Sequence, residues 1–93
     1  MATEFRTADL SLAAVLWLEG LREFEVDKLT DDPADGRGVW IFSTETGLAQ
    51  QLSEQYTRGQ VRVEPKSFQR AIRKVREAMF EWRDAAFPDD GED

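Results

Sequence analysis

The chain has no cysteine and no histidine. Without cysteine it has no disulfide framework, no thiolate metal ligand and no thiol nucleophile. Without histidine it lacks the commonest general acid–base group and the commonest neutral metal ligand. Zinc chemistry would rest on carboxylates alone, and Ser11, Ser43, Ser53 and Ser67 have no imidazole to activate them. No glycine-rich loop of the phosphate-cradling kind follows a strand, because Gly36 and Gly38 fall in a turn between two extended runs. No apolar run approaches the ~18–20 residues that span a membrane. Met1–Gly20, interrupted by Glu4 and Asp9, lacks a basic start followed by a cleavable apolar stretch. These absences lead us to expect a cytoplasmic, non-enzymatic protein with no catalytic residue, no metal, no cofactor, no membrane contact and no small-molecule substrate.

What is present fits one small α+β domain. The 93 residues are 41% hydrophobic and 11% aromatic. A chain of this size buries roughly 60–65% of its unfolded surface, enough for one core. The domain is expected over residues 1–87, with an acidic, solvated tail at 88–93. Asp31, Asp32 and Asp35 miss the spacing and the downstream glutamate of a calcium loop, and Pro33 interrupts them, so a solvated turn is expected there.

The pattern predicts the order β-α-β-β-α-α, a small antiparallel sheet packed by three helices. Thr3–Thr7 sends Phe5 one way and Glu4 and Arg6 the other, as a short strand does. Asp9 is placed to cap a helix over Leu10–Glu19, and Gly20 to end it. That helix is apolar nearly all round and therefore belongs inside the domain or against a partner. Glu23–Leu29 alternates, and Val39–Ser43 is continuously apolar up to Phe42, so the two form a hairpin with a long acidic loop. Trp40 and Ile41 point to opposite faces of that hairpin. Helices on both faces, or a dimer through the sheet, would cover them. Thr44 is placed to cap a helix from about Glu45 to Thr57, with Leu48, Leu52 and Tyr56 inward and Gly59 at its end. Val61 and Val63 alternate with Arg62 and Glu64 as a few extended residues. From Pro65 a last helix carries Phe68, Ile72, Val75, Met79, Trp82 and Ala86 at steps of 4, 3, 4, 3 and 4.

Phe5-Arg6-Thr7, then Asp9-Leu10, Leu12-Ala13-Ala14 and Gly20, resembles the opening of the domain of unknown function 5659, a family of short bacterial and phage-type proteins. Val39–Phe42, Tyr56 before Gly59, Val63, Pro65, Phe68 and the arginine-rich last helix extend the resemblance over Phe5 to Phe80. It implies the same element order and brings no activity, cofactor or catalytic residue with it.

Charge supplies the candidate site. Arg58, Arg62, Lys66, Arg70, Arg73, Lys74 and Arg76 share their window with one carboxylate, Glu64, for a local net charge of +6 in a chain of net −7. On a helical wheel with Phe68 at zero, the apolar stripe spans about −60° to +40°, and Lys66, Arg70, Arg73 and Lys74 fall at about 140–240°. They form a ridge opposite the core. Arg73 and Glu77 have the spacing of an i,i+4 ion pair, and Phe80 lies off the stripe between Arg76 and Arg73. Arg58 and Arg62 would enlarge the patch if the preceding loop folded over it. The seven cations and Phe80 are the expected partner-binding residues. A protein partner or a second copy of the chain is the expected occupant, the acidic loop or tail of one copy meeting the basic helix of another. Nucleic acid is the competing reading. The overall negative charge and the lack of an aromatic ladder count against it.

Overall fold

The computed structural model describes residues 3–32, 34–44 and 47–86. The expected tail at 88–93 lies outside them. The elements are β1 (Thr3–Thr7), α1 (Leu10–Leu18), β2 (Phe24–Lys28), β3 (Gly38–Thr44), α2 (Leu48–Thr57) and α3 (Pro65–Ala86). The fold is α+β in the predicted order. Among the described residues no helix is long and apolar enough to cross a membrane.

The sheet runs β1-β3-β2 with both pairs antiparallel, so the most apolar strand is central. Its registers put Phe5 and Phe24 on either side of Phe42, and Thr7 and Val26 on either side of Trp40. The Phe24 and Phe42 rings stand 5.2 Å apart, tilted by 35°. On this face Trp40 and Phe42 join Leu12 and Leu16 of α1, Ala49 and Leu52 of α2, and Ala71, Val75 and Met79 of α3 in one core. The Trp40 indole Nε1 donates to the Val75 carbonyl at 2.9 Å, so the one polar atom of that ring is satisfied.

All three helices share that face, so the expected helical cover on both sides is not built. Strand alternation turns Val39 and Ile41 the other way. They are nonetheless only 4% and 5% exposed. Ile41 stands directly between Arg6 and Glu25, and Val39 beside Asp27. The stems of long charged side chains shield apolar neighbours in this manner. The outward positions beside Val39 and Ile41 on the flanking strands therefore carry charge.

One other expectation, at the start of α2, changes. Thr44 does not cap α2. It closes β3 opposite Thr3, and α2 begins four residues later, at Leu48, with Gly47 as a cap that offers no side chain. Glu45, the expected first helical residue, lies outside the described residues. Val61–Glu64 is the connection between α2 and α3, with Val61 and Val63 half-buried and Arg62 and Glu64 exposed.

The close approach of α3 to the sheet depends on Gly38. A Cβ there would lie 2.5 Å from Met79 Sδ and 2.8 Å from Trp82 Cζ3. Gly36, two residues earlier, has nothing within 4 Å of the same position. We expect Gly38→Ala to cost about 1–3 kcal/mol of stability by overpacking, and Gly36→Ala to change it by less than about 0.5 kcal/mol. Urea denaturation of the two variants beside the wild type checks the contrast.

Candidate functional site

The site begins at the end of α1. Gly20 takes φ +107°, and its N–H and that of Leu21 bond back to the Trp17 and Leu16 carbonyls at 3.2 and 3.1 Å, the pairing of a Schellman ending. The reversal brings Arg22 back over the helix end. Its Nε donates to the Trp17 carbonyl at 2.8 Å, and its guanidinium carbon sits 3.8 Å from the centroid of the Trp17 ring. A cation belongs at this end of a helix, where the unpaired carbonyls carry partial negative charge. The stack on tryptophan adds a cation–π contact.

The opposite wall is the first half of α3. Glu64 caps that helix with its carboxylate, which accepts from the Lys66 and Ser67 N–H groups at 2.8 and 3.1 Å and from the Ser67 hydroxyl at 3.0 Å. These bonds, first of all that from the Lys66 N–H, hold the Glu64 carboxyl below the usual glutamate range, and Arg70 adds a smaller Coulombic contribution. Beyond the cap, Val75 and Met79 face the core with Ala71, and the charged side chains face out. Ala71, missing from the predicted stripe, sits at its centre.

Trp17, Leu18 and Arg22 on one side and Ser67, Arg70, Arg73, Lys74 and Glu77 on the other line a groove of about 550 Å³. Four cations face one carboxylate in it, a net +3. Ala8, before α1, shares a separate depression with Met79 and Arg83, so α1 and α3 run in opposite directions and the groove forms where α1 ends.

The predicted residues divide. Arg70, Arg73 and Lys74 come together in the groove. Lys66 is exposed on the first turn of α3, outside the lining. Arg58 is the C-terminal cap residue of α2 and Arg62 lies in the connection that follows; neither lines the groove, so the loop does not enlarge the patch. Arg76 and Phe80 lie on the other flank of α3, where Phe80 is 51% exposed. Arg22 and Trp17 were missed. Trp17 reads as a core residue in the apolar stripe, and Arg22 as an ordinary charge after a turn. The only signal is a cation two residues past a helix-ending glycine.

The expected Arg73–Glu77 ion pair is also absent. Among the described residues, ion pairs join Arg6 to Glu4, Lys28 to Asp31 and Arg37 to Asp35, and none engages Lys66, Arg70, Arg73, Lys74 or Arg76. The basic face is thus uncompensated rather than salt-bridged. The acidic loop is the reverse case. Asp35 takes the Arg37 Nε and a terminal nitrogen at 2.9 and 2.8 Å and accepts from Thr30 at 3.2 Å, which drives its carboxyl far below the usual range. With Asp31 held by Lys28 at 3.5 Å, two of the three aspartates expected to meet a basic helix already have partners. Among the described residues no cluster of carboxylates is arranged to hold a metal ion.

Comparison with protein-family models, with curated proteins and with solved structures finds no match to this chain. Its function is therefore argued from the groove itself.

The Glu64 cap makes the α3 wall sensitive to acid. A carboxyl whose folded pKa is lowered contributes stability that is complete above its unfolded value, 4.5, and is lost as pH falls through the folded value. Glu64→Ala should therefore lower Tm at about pH 7 and converge with the wild type as pH falls from 4.5 through the lowered folded value. Thermal melts across that interval check it, and a Tm gap that persists undiminished in acid would remove the cap from the account.

Proposed function

We propose that the protein is a non-enzymatic, cytoplasmic interaction module whose groove between α1 and α3 receives an acidic segment of a protein partner. One observation carries the reading. Arg22, Arg70, Arg73 and Lys74 converge on one groove, and none of the four has a carboxylate within ion-pair distance among the described residues. Four unmatched positive charges on a small domain of net −7 repel one another and cost solubility nothing to neutralise. Their convergence from two walls on one groove suits a ligand that brings negative charge. Phe80, on the neighbouring flank of the same helix, supplies the apolar anchor that interfaces of this kind use.

A second copy is the nearest source of such a segment. Glu25 on the outer strand β2 and Glu23 just before it are exposed and make no ion pair among the described residues. Association through them would join unlike surfaces, head to tail. Nucleic acid is supported less well. Arg58 and Arg62 stand apart from the groove, which closes on Glu77, so the cations form a pocket rather than a track along a backbone.

Binding to a polyglutamate peptide should weaken at least roughly tenfold between about 50 and 500 mM salt. It should be lost on Arg70→Glu with Arg73→Glu. Phe80→Ala should leave peptide binding intact but weaken any self-association seen in sedimentation. No retention of polyglutamate at low salt would overturn the reading, and tighter retention of single-stranded DNA of equal charge would transfer the groove to nucleic acid.

A further inference from the structure

Arg22 is the groove cation whose direction the fold fixes. Its Nε is engaged by the Trp17 carbonyl at 2.8 Å and its guanidinium carbon lies 3.8 Å over the Trp17 ring centroid, which leaves the two terminal nitrogens for a ligand. Among the described residues no carboxylate lies within ion-pair distance of them. Across the groove Arg70 and Lys74 stand one helical turn apart on the same face of α3. The backbone N–H groups at the start of α3 are already taken by Glu64, so recognition falls to side chains.

The charge count selects the ligand. A carboxylate brings one charge and two oxygens to a site of net +3. A phosphate monoester brings about −1.5 to −2 and three strong acceptor oxygens. An oriented guanidinium fork is suited to bind two of those oxygens in parallel, and a flexible ammonium to bind the third as a point charge.

We infer that the groove is a receptor for a phosphate monoester carried on a phosphorylated side chain of the partner, held between the terminal nitrogens of Arg22 and the Arg70 and Lys74 side chains. The inference rests on the groove being the contact site, as proposed above, and names the group that enters it.

The absence of histidine gives this proposal an unusual signature. The second ionisation of a phosphate monoester falls near pH ~6, in the interval where histidine is the side chain that ordinarily changes charge. The charged groups lining the site are Arg22 from the α1 end and Arg70, Arg73, Lys74 and Glu77 from α3, with Glu64 outside the lining at the start of α3. Affinity for the phosphate probe should therefore rise from about pH 5 to 7.5, whereas that for sulfate, which keeps its charge, should not.

The full chain would be titrated with a short glycine–serine peptide phosphorylated on its serine, with the same peptide carrying glutamate there, with inorganic phosphate and with sulfate. Chemical shifts of the arginine Nε groups and of the Trp17 indole report the site. The phosphopeptide should bind roughly tenfold more tightly than the glutamate peptide. Arg22→Lys, which keeps the charge and loses the fork, should abolish that preference. Lys74→Gln, on an exposed helix face, should weaken phosphopeptide binding with no change in Tm. Equal affinity for the two peptides would overturn the phosphate assignment and leave the interaction module standing. Inorganic phosphate binding as tightly as the phosphopeptide would overturn the side-chain source. Indifference of every probe to both Arg22→Lys and Lys74→Gln would overturn the site.

Discussion

The fold depends on α1 having no polar side. Leu12, Ala13, Ala14, Val15 and Leu16 are all buried, five consecutive positions that sweep more than a full helical turn. Burying each large apolar side chain is worth roughly 1.5–3 kcal/mol, so such a helix must be enclosed and cannot simply be laid on a surface. The sheet supplies one wall, α2 a second and α3 the third, and α3 meets α1 more extensively than it meets any strand. The other elements are arranged to close around α1. The groove exists because α1 is shorter than α3 and leaves the outward side of its partner uncovered where it ends.

Much of this was legible in the sequence because the signals are local. Asp9 does cap α1, with its carboxylate accepting from the Leu12 N–H at 3.1 Å. Gly20 and Gly59 do take positive φ where helices end. The 4-3-4-3-4 stripe does face the core through Val75 and Met79. The expectations that changed were those decided between distant segments. Whether Thr44 caps a helix or ends a strand depends on Thr3, far earlier in the chain. Whether Ile41 needs a helix over it depends on Arg6 and Glu25 standing on either side. Of the eight expected contact residues three reached the groove, and the fourth cation there, Arg22, came from another element altogether. A charge cluster read along one segment says nothing about which other segment completes it.

The two layers of the molecule also divide its charge. Cations gather on the helical side, along α3 and at the end of α1. The outward positions of the sheet carry Glu4, Glu25 and Asp27 against Arg6 alone. Such a division is electrically a dipole across the thickness of the domain, which orients approaching ligands before any contact is made and fades as salt shortens its reach.

The indole of Trp40 acts as an index for that arrangement. Because its Nε1 bonds one carbonyl of α3, that of Val75, the helix cannot slide along the sheet by a fraction of a turn without leaving a buried donor unpaired. Val75 directly follows Lys74, and Arg70 lies little more than one turn before it. The bond therefore sets the axial position of the groove's cations relative to the sheet, and through the packing of α1 relative to Arg22. A single hydrogen bond in the core thus gauges the width of a site on the surface.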